Sequence, residues 1–445
     1  MHATDTPRPA FGPGVPRRDA FPGAARRLAY GAFAVPLAMG ALPLYVHLPR
    51  FYAEHLGIGL ASLGALLLAL RLADAVVDPL LGAWSDRLRS RKRLIAYAAP
   101  VLAFGMLGLF NPLVRGEVPL LAWLGVSLAF VYVAFSLATI NHNAWGAELS
   151  TDPVERTRIT ATREGLALAG VVVASVAPAL LGGAGGEAEG LPRFAFAYAA
   201  IVAAALAVTL AAPSGPEIPE PRGPWLGGLG EAWRDTMFRR LLAIFVANGI
   251  ASAIPATLVL FFIADVLRAE GSQGWLLVLY FGAGAAGLPL WTRLSARIGK
   301  DAAWGVSMAV AIVAFAGAAA LGPGDAAAFA MICALSGVAL GADLALPPSI
   351  LADVIGRRGA MRAAGAYFGV WTLATKANLA LAAGVALPLL DALGYAPGSR
   401  DPDAMRALAI VYAGVPCVLK ALALVALVVH ARRSRARAAA PSGIA

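Results

Sequence analysis

The chain has 445 residues, of which 59% are hydrophobic and only 14% are charged. Soluble domains carry roughly a quarter charged residues, so this composition excludes an ordinary soluble protein. The formal net charge of +10 would suit a nucleic-acid partner. However, the basic residues fall in alternate loops between apolar runs, which indicates membrane orientation and no nucleic-acid binding.

Apolar runs of about 20 residues, each long enough to cross a hydrocarbon core of roughly 30 Å, predict an all-α membrane protein. Barrel strands would be shorter and would alternate in polarity. Twelve transmembrane helices are predicted, near residues 28–52, 59–84, 94–113, 119–143, 160–183, 193–213, 240–266, 274–294, 302–321, 326–350, 363–391 and 404–430.

The polar segments between these spans predict two six-helix bundles. WSDRLRSRKR at 84–93 follows the second span and WTRLSARIGK at 291–300 follows the eighth, a weak repeat six helices apart. Two parallel six-helix halves around a central cavity form the major facilitator fold. The predicted segments are a disordered cytoplasmic tail at 1–23, an N-terminal bundle at 24–213, a cytoplasmic linker at 214–239, a C-terminal bundle at 240–431 and a cytoplasmic tail at 432–445.

The basic residues also predict the orientation in the membrane. Lys and Arg outside the spans are concentrated in the tails, the linker and alternate loops, so both termini are predicted to be cytoplasmic. Residues 1–23 lack the apolar core of a signal peptide. In the linker, GLGEAWRDTMFRR predicts a short interfacial helix with Trp233, Met237 and Phe238 towards lipid. We expect a monomeric multi-pass protein of a bacterial inner membrane, with the lipid bilayer as its surroundings.

The second span, GLASLGALLLALRLADAVVDPLLGAW, carries charges where charges are costly. Arg71, Asp74 and Asp78 lie on one stripe of the predicted helix, with the two carboxylates one turn apart. If Arg71 neutralises one carboxylate, one negative charge remains, which can take Na⁺ or Li⁺; alternatively, one acid carries a proton. The competing structural interpretation is an Arg71–Asp74 pair that fixes packing, with Asp78 capping or kinking the helix before Pro79.

Three separated motifs carry a family resemblance. RLADAVVDPLLGAWSDR (71–87) resembles the D-A-x-x-D-P-x-x-G signature of the glycoside–pentoside–hexuronide:cation symporters, a major facilitator family. NAWGAELSTDPVERTRITATREG (143–165) is similar to the second signature of that family, and LADVIGRRGAMRAAGAYFGVWTLATK (351–376) to its third. The resemblance implies a cation site at Asp74 and Asp78, a substrate-site arginine at Arg163 and the helix 11 lysine at Lys376.

The resemblance is incomplete on the substrate side. The first span, LAYGAFAVPLAMGALPLY, has no acid, and Asn141 stands where the resemblance places a sugar-binding acid. Trp145 and Trp371 are candidates for stacking on a sugar ring, although tryptophans near helix ends are more often interfacial anchors. Arg163 has a plain alternative as a positive-inside residue. The loop after Asp353 also lacks the usual second acid and tyrosine, so the sequence does not predict a galactoside as the solute.

Three further charges lie deep within predicted spans, at Lys376, Asp343 and Lys420. Lys376 shares a helix face with Thr372, and its predicted partners are Asp74 or Asp78 across the cavity. Asp343 could pair with Lys376, accept a proton, bind substrate or serve as a hydrogen-bonded structural acid. Lys420 either pairs with another polar group or faces lipid by accident, and the sequence favours neither interpretation.

Gly82, Asp86, Arg87 and Arg91 lie at the end of the second span and in the basic loop after it, where we predict a cytoplasmic gate.

The function predicted from the sequence is a cation-coupled secondary transporter, a symporter of a sugar, glycoside or related small solute. The sequence has no G-x-x-x-x-G-K-[ST] loop, so we expect no cofactor and a Na⁺ or H⁺ gradient as the energy source, with Na⁺ at Asp74 and Asp78 as the candidate metal. A lipid-like or drug-like solute and a non-transporting sensor or scaffold are the alternatives. A membrane-embedded enzyme is disfavoured because no catalytic constellation occurs.

Overall fold

The computed structural model describes residues 23–88, 90–183, 186–212, 224–396 and 398–439. Throughout these residues the regular structure is helical, without strands. The α-helices are α1 Ala24–Gly31, α2 Ala34–Leu42, α3 Leu48–Arg50, α4 Leu60–Ser85, α5 Arg91–Phe110, α6 Glu117–Glu148, α7 Pro153–Gly182, α8 Gly186–Ala211, α9 Gly227–Arg234, α10 Thr236–Phe261, α11 Gln273–Ile298, α12 Lys300–Ala316, α13 Ala326–Arg357, α14 Ala364–Ala392, α15 Pro402–Ala409 and α16 Val415–Ala439. Nearly all of the predicted N-terminal tail, residues 440–445 of the predicted C-terminal tail and the first part of the linker lie outside the described residues.

Ten helical segments of the described chain are long and apolar enough to cross a membrane, and they coincide with predicted spans three to twelve. The first predicted span is helical but interrupted, because a π-helical turn at Pro43–His47 separates α2 from α3 and a second one at Phe51–His55 follows α3. The second is the 26-residue helix α4, which carries the three charges at 71, 74 and 78. The all-helical membrane architecture is therefore confirmed, and the count of twelve spans stays a prediction.

The helices before residue 213 pack with one another, as do those after residue 235. The two halves meet where α4 packs along α14 and where α7 packs against α11 and α13. Glycines allow the α4–α14 approach: a Cβ on Gly82 would lie 2.2 Å from the carbonyl oxygen of Gly365, and one on Gly369 would lie 2.7 Å from that of Asp78. Any larger residue at these positions would push the two helices apart.

Apolar cores lie inside both halves. One core fills the first half around Phe33, Leu102 and Tyr198. The second half contains two, and one of them extends into the first half through Ile140 and Ala144 of α6. Large apolar side chains such as Phe104, Leu113 and Val313 are exposed on the outside, as expected for a surface that faces lipid.

A short helix, α9, forms in the segment predicted to be interfacial, but the predicted lipid exposure of Phe238 is wrong. Trp233 is 53% exposed, whereas Phe238 is fully buried and packs edge-on against Tyr367 with ring centroids 4.8 Å apart. The reason is a helix boundary inside the segment: Asp235 accepts hydrogen bonds from the amides of Met237 and Phe238 and starts α10 there. Phe238 therefore belongs to a core helix.

Candidate functional site between the two halves

Two buried aspartates of α4 face one lysine of α14. Asp74 is 7% exposed and Asp78 is fully buried. The ammonium nitrogen of Lys376 donates to Asp74 Oδ2 at 2.6 Å, to Asp78 Oδ1 at 3.0 Å and to Ser136 Oγ at 2.9 Å. The Ser136 hydroxyl donates in turn to Asp74 Oδ1 at 3.0 Å. This cluster, which we call the inter-half cluster, joins α4 and α6 of the first half to α14 of the second.

The inter-half cluster carries one excess negative charge. Two carboxylates and one ammonium sum to a formal charge of −1, in surroundings where a charge is costly unless it is paired. Lys376 pairs with both carboxylates, whereas the Arg71 side chain is exposed, and the neutralisation of one acid by Arg71 stays a prediction. A small cation or a proton would bring the cluster to neutrality.

Beyond this cluster, Asp86 holds the start of α14. Its two carboxylate oxygens accept hydrogen bonds from the amides of Gly365 at 2.7 Å and Ala366 at 2.9 Å. These amides have no partner within their own helix, and the helix dipole favours a negative charge there. Burial raises the pKa of the Asp86 carboxyl above its ordinary value, although Arg91 and the two amides favour the charged form.

Arg91, the first residue of α5, connects several groups around Asp86. Its guanidinium donates to Asp86 at 2.6 Å, to Glu148 at 3.0 Å and to the Asn141 side-chain oxygen at 3.2 Å. Two of the predicted gate residues, Asp86 and Arg91, are thus in direct contact, and Gly82 lies at the α4–α14 contact described above. Arg87 lies in the turn after α4 with an exposed side chain.

A second crossing between the halves lies at the same end of the bundle. Arg156 of α7 donates to Asp353 of α13 at 3.1 Å, and Thr157 shares a hydrogen bond of 3.0 Å with Ser349. Lys300 also pairs with Asp353. We call this end the terminal face because Arg27, near the start of the described chain, pairs with Glu155 there. The terminal face is the one that the sequence predicts to be cytoplasmic.

A separate buried ion pair lies inside the second half. Lys420 of α16 donates to Asp343 Oδ2 of α13 at 2.9 Å and to the Asn248 side-chain oxygen of α10 at 2.7 Å. The indole of Trp304 donates to Asp343 Oδ1 at 2.8 Å. The predicted pairing of Asp343 with Lys376 is therefore wrong, because Lys376 points to α4 and Lys420 occupies the position beside Asp343. Of the two interpretations of Lys420, the structure has the paired one.

A profile of the family described as MFS/sugar transport protein matches residues 28–430, which is most of the chain. The chain belongs to this family. The predicted resemblance to major facilitator transporters is thereby confirmed, and the chain is a membrane transporter by family and fold. A search of the curated proteins found no match.

Solved structures of other transporters share the fold of this MFS protein. A bacterial homologue of the iron transporter ferroportin in an outward-facing state has a TM-score of 0.68 at 17% identity, covering 92% of this chain and 99% of its own. The E. coli fucose:proton symporter FucP has a TM-score of 0.67 at 14% identity, covering 90% and 98%. The proton:xylose symporter XylE has a TM-score of 0.62 at 13% identity, covering 90% and 93%. At these identities the likeness shows the fold alone.

In this MFS protein the two predicted sugar-stacking tryptophans have their rings packed against protein. Trp145 is buried edge-on against Tyr30, with Lys92 Nζ 5.3 Å from the centroid of its ring. Trp371 is buried and stacked on Phe245 with ring centroids 3.8 Å apart. The two rings therefore belong to different interior environments.

The other predicted substrate residues are also engaged with protein groups. Asn141 accepts from Arg91, as described above, and donates to the Leu137 carbonyl at 2.8 Å. Arg163 is buried and pairs with Glu164 and Asn143. Thr372 donates to the Phe368 carbonyl of its own helix at 2.9 Å. Each of these side chains has protein partners in the described structure, and their roles as substrate residues stay predictions.

Sequence reasoning missed several members of these networks, among them Ser136, Glu148, Arg156 and Asp353. Arg156 and Asp353 lie inside the quoted motifs. The signal that could have found them is an acid and a base that each lie near the end of a long helix. Ser136 is one of the few hydroxyl residues of a long apolar helix. Nothing in the sequence indicates that the Ser136 hydroxyl accepts a hydrogen bond from a lysine of the other half.

Proposed function

We propose that this MFS protein is a secondary transporter driven by Na⁺ or H⁺, a symporter of a sugar, glycoside or related small organic solute. The observation that carries the proposal is the inter-half cluster, in which a lysine of the second half lies between two acids of the first. In this fold transport requires the two halves to change their relative position. A charged contact between the halves is therefore a contact on which a coupling cation can act.

The charge balance of the inter-half cluster is the basis of the effect that we propose for the cation. With Lys376 as a tethered cation, the cluster has a formal charge of −1, and one Na⁺ or one proton makes it neutral. A cation at Asp74 and Asp78 would compete with Lys376 for the same oxygens and weaken the contact between α4 and α14. The bound cation thereby lowers the cost of separating two buried, oppositely charged surfaces.

The two contacts at the terminal face would be the gate. Asp86 with the start of α14, and Arg156 with Asp353, hold the halves together at that end. In our proposal this conformation is closed towards the cytoplasm, and both contacts must break for the solute to be released there. FucP and XylE are named as proton symporters, which agrees with a cation-coupled mechanism on this fold.

Uptake into proteoliposomes tests the proposal. Purified protein is first screened for thermal stabilisation by sugars, glycosides and organic acids with and without Na⁺, because a ligand that binds only the folded state raises its stability. A stabilising solute is then offered to proteoliposomes under an imposed Na⁺ or H⁺ gradient. We expect gradient-driven uptake that Asp78→Asn uncouples. Uptake that stays fully cation-coupled in this variant would contradict the assignment of the site.

A ligand that binds without being moved by any gradient would instead favour the sensor interpretation.

A further inference from the structure

A cavity of about 970 Å³, counting its open side, lies inside the second half. Its walls come from α10, α11, α12, α13, α16 and the turn before α16, so it belongs to one half and is separate from the inter-half cluster. Phe315, Phe329 and Tyr412 form an aromatic wall, with Phe315 and Phe329 within 5.1 and 6.3 Å of Tyr412 between ring centroids. The cavity is almost entirely apolar.

The cavity has one strongly polar region, where Asp343 and Lys420 line it. Both residues are near the middle of their spans, whereas Phe315 and Phe329 are near the ends of theirs that lie away from the terminal face. The cavity therefore runs from the end of the bundle that lies away from the terminal face to an ion pair near the middle of the spans. On this path a ligand would meet apolar walls first and charged groups last.

The ion pair retains hydrogen-bonding capacity. An ammonium group has three N–H donors, and within the described chain Lys420 uses two of them, on Asn248 and Asp343. A carboxylate has about four acceptor positions, and Asp343 receives one bond from Trp304 and one from Lys420. One donor and at least one acceptor thus remain for a group that enters the cavity.

The charges also decide which head group fits. A carboxylate head would be repelled by Asp343 and an ammonium head by Lys420, and either would disturb a pair that is neutral as it stands. A hydroxyl carries no charge and can accept from Lys420 while it donates to Asp343. A sugar has many hydroxyls, and most of them would be left unpaired against the apolar walls.

We propose that this cavity is a binding site for an uncharged, mainly apolar molecule with a terminal hydroxyl, of the long-chain alcohol class. The chain lies along the aromatic wall and the hydroxyl bridges Lys420 and Asp343. Binding at this site is independent of the cation coupling proposed above, because none of its groups belongs to the inter-half cluster.

A photoactivatable long-chain alcohol tests the site on the full chain in liposomes. The probe carries a diazirine in a dodecyl chain and a free hydroxyl, and labelled residues are mapped by mass spectrometry. We expect labelling at cavity residues such as Cys333, Cys417 and Tyr280. An excess of 1-decanol should compete, whereas decane should compete roughly tenfold less well, since it lacks hydrogen bonds to charged groups.

Two variants provide the controls. Ala339→Phe fills the cavity from a buried position and should abolish the labelling, whereas Leu335→Phe on the same helix points outward, at 46% exposure, and should leave it unchanged. If Ala339→Phe does not fold, the double variant Asp343→Asn, Lys420→Met serves instead and should remove the preference for decanol over decane. Labelling spread over lipid-facing residues, equal competition by decane, or an unchanged preference in the double variant would overturn the proposal.

Discussion

Two of the buried clusters of acid and lysine in the described chain differ in location and in charge. The inter-half cluster joins Lys376 of α14 to Asp74 and Asp78 of α4 and has a formal charge of −1. The Asp343–Lys420 pair lies inside one half and is neutral. Relative movement of the halves must change the first cluster and can leave the second intact. In the proposed mechanism, only a cluster that crosses the interface between the halves and carries an uncompensated charge can couple cation binding to their movement.

The largest effect on stability is expected inside the second half. Lys420→Met leaves Asp343 buried without its ammonium partner, which should cost about 3–5 kcal/mol in the free energy of unfolding. The double variant Asp343→Asn, Lys420→Met removes both charges and should recover most of this loss. Thermal unfolding of the purified proteins measures both. Equal loss in the single and double variants would show that the pair does not have the structural role given to it here.

A smaller loss is expected where the two halves touch. At Gly369 of α14, a methyl group would lie 2.7 Å from the Asp78 carbonyl oxygen and 3.0 Å from Pro79 Cα. Gly369→Ala should therefore destabilise the protein by about 1–3 kcal/mol, as overpacking does. Gly384→Ala on the same helix meets nothing within 4 Å and should be neutral or slightly stabilising. Thermal unfolding that does not distinguish the two variants would contradict the close contact.

Much of this contrast could be predicted from the sequence, and the limits have physical reasons. Spans three to twelve followed from length and hydropathy, and Lys376 was placed opposite Asp74 and Asp78 by its depth and by the family resemblance. The partner of Asp343 could not be predicted, because two lysines lay at suitable depth and only tertiary packing decides between them. Phe238 was misplaced because the segment contains a helix start at Asp235, which the apolar pattern alone does not show. The hydrogen bonds that Asp86 accepts from the first amides of α14 join residues about 280 positions apart, and no local sequence pattern predicts such a contact.

The terminal face should respond to loss of the Asp86 charge. Asp86→Asn weakens the bonds to Arg91 and to the two α14 amides, so the closed state becomes less favourable. The rate at which a maleimide labels a cysteine placed at the buried Ser349 position should rise roughly tenfold. The native cysteines are replaced by serine in this experiment.

Asp152→Asn is the matched control for the Asp86 variant, since Asp152 caps its own helix α7 through Val154 and Glu155, and its hydrogen bonds in the described chain stay within the first half. Labelling that rises equally in both variants would mean that Asp86 has no special role in closing this face.

The smallest effect is expected at an exposed ion pair of the terminal face. Arg158 lies 3.5 Å from Glu155 within one helix, and its side chain is 53% exposed. Arg158→Ala should change the free energy of unfolding by less than about 0.5 kcal/mol. Thermal unfolding measures it, and a change as large as that of Gly369→Ala would show that exposed charges matter here as much as the contact between the halves.

The central claim is that the inter-half cluster binds the coupling cation. Its most direct test is the unfolding temperature of the purified wild type, Asp78→Asn, and the Asp343→Asn, Lys420→Met double variant across Na⁺ concentration and pH. We predict that Na⁺ raises the unfolding temperature of the wild type or, if the coupling ion is a proton, that this temperature depends on pH. Asp78→Asn should abolish this dependence, and the double variant should retain it. A cation dependence that survives in Asp78→Asn and disappears in the double variant would contradict the account.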